Sequence, residues 1–479
     1  MIRFLLNHEV VELAEFDAGL TVLNYLREHR KMKGSKEGCA AGDCGACTVA
    51  LAELTPAKNS LHYRTINSCI ALMSAVDGKQ LITVEHLCEG ATLHPVQQAL
   101  VDYHGSQCGF CTPGLVMSMF ALYHKDIQPH REQVSYALSG NLCRCTGYRP
   151  IIDAATAVCT HSPADKFKRN EQQTIAALKE LQSKAETPER GLLLPQNREQ
   201  LARFIKEHPE APLVAGNTDL GLEVTQKLKQ YDCLISLSQV AELKECREDD
   251  DCISLGAACS LSDIEPHLLA VYPQLKEILE RFASLPIRNQ ATLGGNLANA
   301  SPIGDMPPVL LALGAIVVVD NGEKSRNIPV SKLFTSYRQT VLCSNEWISR
   351  ILIPKPAAPY LLRAYKVSKR FEDDISAVCA VFHLYVEDGV IKKVASGFGG
   401  VAVTPVSCEA LHQALVGKRW SSAECIAIGK EILMQAFSPI DDVRATAEYR
   451  NQLLGNLWHR FWLENQQDNH IETRVVTYA

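Results

Sequence analysis

Eight cysteines in the first third of the chain fall into two groups whose spacing is typical of metal ligands. The first group has the pattern C-x4-C-x2-C and a fourth cysteine after twenty-one further residues; it comprises Cys39, Cys44, Cys47 and Cys69. Plant-type [2Fe–2S] clusters are held by four thiolates with this spacing. Zinc also binds four cysteines, but it usually takes them from compact C-x2-C pairs. The four-residue gap in a glycine-rich loop therefore favours an iron–sulfur cluster.

The second group joins a C-x2-C to a C-x-C that follows thirty-one residues later; it comprises Cys108, Cys111, Cys143 and Cys145. Two cysteines one residue apart form a disulfide with each other only under strain. Two thiolates on a tight turn can instead bind one metal centre. The spacing leaves a second zinc site open as an alternative. The neighbouring iron–sulfur pattern favours a second cluster, because paired clusters conduct electrons.

Two glycine-containing loops follow the cysteine groups along the chain. They read LVAGNTDLGLE at residues 213–223 and RNQATLGGNLANASPIGD at residues 288–305. Each pattern alone is compatible with an ordinary turn. Such loops also present backbone N–H groups to which a pyrophosphate can bind. The sequence lacks the G-x-G-x-x-G fingerprint, so a Rossmann dinucleotide site is excluded.

The bulk composition is that of an ordinary globular protein. The 479 residues are 46% hydrophobic and 21% charged, with a net charge of −6, which gives no reason to expect nucleic acid or an anionic membrane as partner. The N-terminus has no apolar signal region, and the longest apolar run, residues 309–319, is too short to span a bilayer. We therefore expect a soluble cytoplasmic protein. Its ten remaining cysteines are interpreted as small buried hydrophobic residues, and none of its histidines as a metal ligand.

Hydrophobic periodicity places these motifs on elements of both kinds. We predict an N-terminal hairpin, a short helix at residues 21–29, the first cysteine loop, and helices from about residue 92. A polar stretch, residues 160–190, is interpreted as a linker. Mixed strands and helices follow to about residue 360, then strands near residues 378–386 and 390–398, and helices near 407–416 and 421–437.

The motif sequences resemble one known family. GSKEGCAAGDCGACTV, CGFCTPG and NLCRCTGYRPI are similar to the two [2Fe–2S] domains of the molybdenum hydroxylases, the xanthine dehydrogenase and aldehyde oxidase group. VAGNTDLG and TLGGN resemble the FAD-binding loops of the flavin domain in the same family. The resemblance extends from residue 1 to about residue 465.

The resemblance implies a multidomain α+β fold. The implied domains are a β-grasp ferredoxin-like [2Fe–2S] domain at residues 1–86, a four-helix [2Fe–2S] domain at 87–160, a linker at 161–190, an FAD-binding domain of the vanillyl-alcohol-oxidase type at 191–360, and a C-terminal α+β domain at 361–472 like that of carbon monoxide dehydrogenase flavoproteins.

The resemblance also implies a set of cofactor contacts. All eight cysteines would be cluster ligands, with the second cluster nearer a molybdenum cofactor whose pterin Gln107 and Cys145 would face. The FAD contacts would be Val214, Ala215, Gly216, Asn217, Thr218, Asp219, Leu220, Gly221, Phe282, Thr292, Leu293, Gly294, Gly295, Asn296, Asp305, Ile348 and Lys366.

One further loop and one unusual residue bear on the potentials of the cofactors. KRFEDDIS, residues 369–376, resembles a loop beside the flavin ring and would place Glu372, Asp373 and Asp374 near the isoalloxazine. By charge pattern alone the same stretch is a solvated turn. Asp43 stands where the family has mostly small residues, which would shift the potential of the first cluster without removing a ligand.

The function implied is that of the small subunit of a xanthine dehydrogenase. Electrons would pass from molybdenum on a large partner subunit through two [2Fe–2S] clusters to FAD and then to NAD. No catalytic acid or base on this chain is required. We expect a heterotetramer of two small and two large subunits. The alternatives are the same role in an aldehyde or N-heterocycle hydroxylase, and a zinc-stabilised structural protein.

Overall fold

The computed structural model describes residues 1–125, 127–159, 165–183, 191–466 and 473. The chain divides into two units. The first contains residues 1–241 and 283–291, and the second contains residues 242–282 and the chain from 292 onward. The chain therefore returns briefly to the first unit after entering the second.

The N-terminal part of the first unit is a β-grasp sheet. Its elements are β1 (Ile2–Leu6), β2 (Glu9–Leu13), α1 (Val22–Asn24), β3 (Thr48–Leu54), β4 (Leu61–Asn67) and β5 (Gln80–Ile82). The sheet order is β2-β1-β5-β3-β4, with β1 and β5 parallel. Phe4 pairs with Val11 in the predicted hairpin, and Phe4, Leu26 and Val49 lie in a fully buried core. The ferredoxin-like fold is confirmed.

Four helices follow, as predicted: α2 (Pro95–Asp102), α3 (Thr112–Tyr123), α4 (Arg131–Leu138) and α5 (Arg149–Val158). Pro95 occupies the first turn of α2, where its missing N–H costs nothing, and the His94 side chain caps that helix. Helix α3 is apolar on all sides because it packs against α2, α4 and strand β3. The two cysteine-bearing domains are thereby joined through one shared interface.

The predicted linker contains two helices among its described residues, α6 (Lys166–Arg169) and α7 (Glu171–Ser183). Leu178 and Leu181 of α7 are three residues apart and pack against Leu5 of the β-grasp sheet, which holds this polar helix on the first unit. Residues 160–164 and 184–190 of the predicted linker lie outside the described residues.

The rest of the first unit has alternating strands and helices: β6 (Gly191–Leu193), α8 (Arg198–Glu207), β7 (Leu213–Val214), α9 (Leu220–Thr225) and β8 (Cys233–Ser236). The three strands form a parallel sheet of order β6-β8-β7. Leu192, Val214 and Leu234 from this sheet share one core with the β-grasp strands. The predicted mixture of strands and helices is confirmed for this stretch.

The next stretch of chain supplies the larger sheet of the second unit. Its elements are β9 (Cys246–Glu248), β10 (Cys252–Gly256), α10 (Leu261–Val271), α11 (Lys276–Glu280), the first-unit helix α12 (Leu285–Arg288), α13 (Leu293–Ala298), α14 (Met306–Leu313), β11 (Ile316–Asp320), β12 (Ser325–Pro329), β13 (Phe334–Ser336), β14 (Gln339–Thr340) and β15 (Trp347–Pro354). The sheet order is β12-β11-β15-β10-β9, all antiparallel. The apolar run at residues 309–319 is a helix end and a strand, as predicted.

The C-terminal part contains β16 (Tyr360–Val367), β17 (Val378–Glu387), β18 (Val390–Gly399), α15 (Glu409–Leu415), α16 (Ala423–Gln435) and α17 (Ala447–Glu464). Helix α17 was not predicted. Trp420, Trp458 and Trp462 pack in the core of this domain. Residues 467–472 of the predicted domain lie outside the described residues.

No helix in the part of the chain that the structure describes is both long enough and apolar enough to cross a membrane.

The packing of α16 against α17 gives the first testable prediction. Gly429 of α16 faces the fully buried Trp458 of α17, and a Cβ at position 429 would overlap the indole ring. Gly429→Ala gains about 1 kcal/mol of helix propensity, but the rigid indole cannot retreat, and overpacking costs about 1–3 kcal/mol. We therefore expect a net loss in the free energy of unfolding, measured by urea denaturation. Glu431→Ala, at an exposed position of the same helix, is the control, and equal stability of the two variants would contradict the packing argument.

Candidate functional site

The structure brings the first four cysteines together. Cys39 and Cys44 lie in the loop before β3, Cys47 directly precedes that strand, and Cys69 follows β4. Within this set, Cys39 accepts side-chain hydrogen bonds from Cys44 and Cys69, and Cys47 accepts one from Cys69. Four sulfur atoms thus converge from a loop and two strand ends.

Backbone amides also point at this set of sulfurs. The N–H groups of Ala41 and Cys44 lie 3.3 and 3.4 Å from the Sγ atom of Cys39. Gly38 leaves no space for a side chain, since a Cβ there would lie 2.7 Å from the Sγ atom of Cys44. Such amides stabilise anionic sulfur. The loop is therefore shaped for thiolate ligands.

The electrostatics agree with a shared negative charge. Hydrogen bonds from the Cys44 and Cys69 thiols lower the pKa of Cys39. A hydrogen bond from the Cys69 thiol lowers the pKa of Cys47, although Cys47 is buried. Metal ligands bind as thiolates, so the donor set fits a [2Fe–2S] cluster.

The second four cysteines also meet. Cys111 precedes α3, and Cys143 and Cys145 lie in the loop before α5. Cys145 hydrogen-bonds to Cys108, whereas Cys143 hydrogen-bonds to Cys111. The C-x-C pair thus points one sulfur at each member of the C-x2-C pair, as a four-thiolate site requires.

The two sites differ in exposure. Cys47 and Cys69 are buried, whereas Cys108 and Cys145 are exposed. Apolar side chains in the same loops are also exposed: Phe110 and Leu142 each expose 47% of their surface. Gln107 is exposed too. The second site is therefore the more exposed of the two, and exposed apolar side chains lie in the same loops.

A backbone hydrogen bond links the two cysteine loops directly. The N–H of Leu142, next to Cys143, donates to the carbonyl of Cys44 over 3.0 Å. Cys44, a predicted ligand of the first cluster, is thus hydrogen-bonded to the residue that precedes Cys143, a predicted ligand of the second cluster. Glycine makes this approach possible, because Cβ atoms at Gly45 and Gly114 would overlap the backbone of the opposing segments.

Asn141 fixes this junction, and sequence reasoning did not single it out. Its buried side-chain amide donates to the Oγ atom of Ser118 over 2.7 Å and to the carbonyl of Leu138. Its Oδ1 atom accepts from the Thr48 hydroxyl over 3.3 Å. The asparagine thereby ties α3, α4 and β3 together. The position of Asn141, two residues before the C-x-C pair, is the sequence feature that could have drawn attention to it.

The first predicted flavin loop lies in the first unit, against the first cysteine set. The Asn217 amide donates to the carbonyl of Ile70, the residue after Cys69. A Cβ at Gly221 would lie 2.6 Å from that same carbonyl. Gln226, just beyond the loop, donates to the carbonyls of Cys39 and Ala40 over 3.2 and 2.9 Å. The loop is thus hydrogen-bonded to the backbone of two segments that carry predicted cluster ligands.

The second predicted flavin loop lies in the second unit, at the start of α13. The Thr292 side chain caps this helix by accepting from the N–H of Gly295 over 3.0 Å. Gly294 donates its N–H to the carbonyl of Ala257, and a Cβ at Gly294 would lie 2.6 Å from that oxygen. Gly294 is therefore required by packing within the protein.

Each predicted flavin loop contains a buried side-chain oxygen that lacks a hydrogen-bond donor among the described residues. The Oδ1 atoms of Asn217 and Asn296 are buried and accept no hydrogen bond from any described residue. Unsatisfied buried acceptors are rare and costly in folded proteins. Both fit a ligand that supplies hydroxyl or amide donors, as FAD does, and FAD binding by these loops stays a prediction.

The remaining predicted FAD contacts lie outside residues 214–221 and 292–296. Asp305 and Lys366 form a buried ion pair of 2.8 Å, which the Ser376 hydroxyl extends. Ile348 is a buried member of strand β15, and Phe282 is half-buried. Their contact with FAD also stays a prediction.

Two arginines contact the acidic loop. Arg281 is buried and donates to the carbonyls of Lys366 and Phe371 over 2.8 and 3.1 Å. Its guanidinium also lies 4.6 Å from the centre of the Phe371 ring. Arg370 binds Asp374 at the base of the loop. Ordered contacts at this loop were not visible in its charge pattern.

A histidine–aspartate group was also missed. The Nε2 atoms of His94 and His124 lie 2.7 and 2.9 Å from the same Oδ2 atom of Asp165, and all three side chains are buried. Oδ1 of Asp165 accepts from the N–H of Lys168, capping α6. Desolvation is the largest single influence on Asp165 and raises its pKa. The hydrogen bonds from His124, His94 and Lys168 together outweigh it, so the pKa of Asp165 is lowered. Because the three residues are far apart in sequence, no local motif reveals them.

Among the ten remaining cysteines, five are buried as expected: Cys159, Cys259, Cys379, Cys408 and Cys425. The prediction is wrong for the others, because Cys88, Cys233, Cys246 and Cys252 are half-buried and Cys343 is exposed.

Family models match three stretches of the chain. A "[2Fe-2S] binding domain" matches residues 83–156, and an "FAD binding domain in molybdopterin dehydrogenase" matches residues 186–356. A "CO dehydrogenase flavoprotein C-terminal domain" matches residues 363–465. These matches confirm the predicted multidomain α+β fold.

Curated relatives include xanthine dehydrogenases. The enzyme of Emericella nidulans is 34% identical over a 522-residue alignment that covers 96% of this chain and 38% of the relative. The xanthine dehydrogenase/oxidase of Mus musculus is 30% identical, with the same coverage of 96% and 38%. The chain thus spans about two-fifths of the length of these relatives.

Solved structures show the same fold over part of the chain. Carbon monoxide dehydrogenase from Hydrogenophaga pseudoflava aligns with a TM-score of 0.54 and 24% identity, covering 56% of this chain and 94% of that chain. Quinoline 2-oxidoreductase from Pseudomonas putida 86 aligns with a TM-score of 0.53 and 23% identity, covering 58% and 98%.

The sulfur geometry predicts how iron content responds to mutation. Cys145→Ser removes one ligand of the exposed second site and leaves the first site intact. We expect iron to fall from about four to about two atoms per chain, measured by elemental analysis. Cys343→Ser, at an exposed cysteine outside both sets, should leave the iron content unchanged. Retention of four irons in Cys145→Ser, or zinc in place of iron in the parent chain, would contradict the assignment.

Proposed function

Since the chain belongs to the molybdenum hydroxylase family and carries its iron–sulfur and flavin domains, we propose that it is the electron-transfer subunit of a xanthine dehydrogenase. The observation that carries the proposal is the junction of the two four-sulfur sites. They share one unit, and the Leu142–Cys44 hydrogen bond connects them. A pair of isolated structural metal sites would need no such connection.

When bound, two [2Fe–2S] clusters and FAD would supply one-electron and two-electron transfer between a molybdenum site on a partner and NAD. The first cluster would be held by Cys39, Cys44, Cys47 and Cys69, and the second by Cys108, Cys111, Cys143 and Cys145. FAD would be held by the loops at 214–221 and 292–296, with Phe282, Asp305, Ile348 and Lys366 as further contacts.

The chain's own residues act by positioning and by electrostatics. The amides of Ala41 and Cys44 offer hydrogen bonds to sulfur and thereby favour the anionic form of the first site. Asn141 keeps the two cysteine loops at a fixed separation. Asn217 fixes the first flavin loop to the segment after Cys69. No side chain of this chain is assigned a proton-transfer role.

The partner would bind at the exposed second site. Exposed apolar side chains beside functional groups are typical of protein interfaces. Phe110 and Leu142 are exposed apolar residues next to Cys111 and Cys143 in the loops that carry the exposed Cys108 and Cys145, and we call this pair the apolar rim. We propose that a molybdenum-containing large subunit covers this rim, with Gln107 and Cys145 toward its pterin, in an assembly of two small and two large subunits.

The acceptor half of this proposal predicts a reaction of the isolated chain. Anaerobic NADH should bleach the flavin absorbance of the purified chain without any partner, because the nicotinamide reacts at the flavin. Stopped-flow absorbance would follow the flavin, and electron paramagnetic resonance would follow the clusters. Cys145→Ser serves as the matched variant, since it should keep flavin bleaching and lose one cluster signal. Bleaching by dithionite but not by NADH would exclude NAD as the acceptor.

The donor half predicts the activity of the assembled protein. The chain, purified with its molybdenum-containing partner, should reduce NAD with xanthine at least about tenfold faster than with benzaldehyde or quinoline at equal concentration, since tenfold corresponds to only 1.4 kcal/mol of discrimination. NADH formation at 340 nm is the measurement. Preference for an aldehyde or an N-heterocycle would keep the electron-transfer role and replace the substrate. A colourless protein without flavin would favour the zinc-stabilised alternative.

A further inference from the structure

Two cysteines outside both metal-binding sets face each other in the second unit. Cys246 is the first residue of strand β9, and Cys259 lies in the turn between β10 and α10. Their Sγ atoms are 3.5 Å apart. The positions are thirteen residues apart in sequence, in a stretch where no motif suggests a site.

The backbone holds this pair in register. Leu255 of β10 pairs with Cys246, and the N–H of Gly256 donates to the carbonyl of Glu245 over 2.9 Å. The N–H of Ala258 donates to the carbonyl of Leu243, also over 2.9 Å. The two segments that carry the thiols are thus fixed on both sides of the pair. A disulfide requires a sulfur separation of about 2.05 Å, so rotation about the side chains with a small shift of the turn would close it.

The two thiols are not equivalent. Cys259 is buried, with 4% of its surface exposed, whereas Cys246 is half-buried on the edge strand of its sheet. The hydrogen bond from the Cys259 thiol lowers the pKa of Cys246, and the same contact together with burial raises the pKa of Cys259. Thiolates, not thiols, attack disulfides. Cys246 is therefore both the more accessible sulfur and the better nucleophile.

We propose that Cys246 and Cys259 form a redox-active thiol pair, which a low-molecular-weight disulfide such as glutathione disulfide converts into an intramolecular disulfide. The Cys246 thiolate attacks one sulfur of glutathione disulfide, forms a mixed disulfide and releases one glutathione thiolate. The Cys259 sulfur then attacks the Cys246 sulfur and releases the second glutathione. Two protein thiols are oxidised, one glutathione disulfide is reduced to two glutathione molecules, and the two thiol protons leave with them.

The pair lies beside the second predicted flavin loop, within the same unit. The carbonyl of Ala257, two residues before Cys259, accepts the N–H of Gly294 over 3.0 Å. Ser260, one residue after Cys259, forms a β-bridge with Thr292. Closing the disulfide moves the turn that makes both contacts. Oxidation of the pair therefore acts on the loop at residues 292–296, whatever that loop binds.

Trypsin gives a direct test of the cross-link. Cleavage after Lys244 and Arg247 places Cys246 alone in the tripeptide 245–247, and Cys252 and Cys259 together in the peptide 248–276. The purified chain with its cofactors is treated with glutathione disulfide, free thiols are blocked with iodoacetamide under denaturing conditions, and the digest is analysed by mass spectrometry. We expect the two peptides to be joined with the loss of two hydrogens, and a reductant to release them.

Two variants identify the partner of Cys246. Cys252→Ser should retain the linked peptides, because Cys252 lies three residues away along β10 from the residue paired with Cys246. Cys259→Ser should abolish the link and leave Cys246 carrying a stable glutathione adduct. A cross-link that survives in Cys259→Ser, or Cys246 that stays unmodified or only glutathionylated in the parent chain, would overturn the proposal.

A second measurement tests the effect on the neighbouring loop. Hydrogen exchange of peptides covering residues 292–298 should change on oxidation of the parent chain and of Cys252→Ser, and should not change in Cys259→Ser. A disulfide that forms without altering this exchange would overturn the coupling between the pair and the loop. Neither measurement depends on NADH or xanthine, so failure of the proposed enzyme function would leave both results interpretable.

Discussion

Direct contact between the backbones of the two cysteine loops is the constraint on which the first unit depends. The hydrogen bond from Leu142 to Cys44 exists only because Gly45 and Gly114 have no side chains, and Gly140 adopts a positive φ of 76° where a Cβ would meet Ser284. A glycine-rich loop is often explained by its ligand alone. Here the glycines serve contact between protein segments as much as contact with a cluster. Since the predicted ligands Cys44, Cys111 and Cys143 lie within three residues of these glycines, packing and sulfur geometry cannot vary independently.

The same relation holds for the first predicted flavin loop. Gly221 allows the loop to reach the carbonyl of Ile70, and Asn217 donates to that carbonyl with its amide nitrogen, while its Oδ1 atom is buried and accepts no hydrogen bond from a described residue. The Asn217 side chain thus binds the segment after Cys69 through its N–H group and keeps an oxygen that no described residue uses. This division follows from the chemistry of an amide, which carries both functions on one planar group. An aspartate at this position would offer only acceptors and would face the Ile70 carbonyl unfavourably.

Local features of the sequence predicted much of this arrangement. The cysteine spacing was sufficient to form two groups of four, and alternation and apolar periodicity were sufficient for the hairpin, for the first three helices after residue 92 and for the run at residues 309–319, whereas the fourth helix was implied by the family resemblance. What sequence could not predict depends on residues that meet only after folding. Asp165 joins His94 and His124 across 71 and 41 residues, and Arg281 reaches residues more than eighty positions away. Helix α17 was missed because its buried face mixes leucine and aromatic residues with glycine and the fully buried Arg450, and so forms no continuous apolar stripe.

The return of the chain to the first unit at residues 283–291 has a consequence for synthesis. Leu285 donates its N–H to Ser139, Asn289 donates to Thr65, and Ile287 packs beside Cys69 and Ile70. These contacts cannot form on the ribosome until the nascent chain has emerged well past the last cysteine of the second set. Iron–sulfur assembly factors would therefore meet both cysteine loops while part of their support is still untranslated. A pause in translation within residues 242–282 would prolong that interval, so codon usage in this stretch bears on how completely the protein acquires its metal.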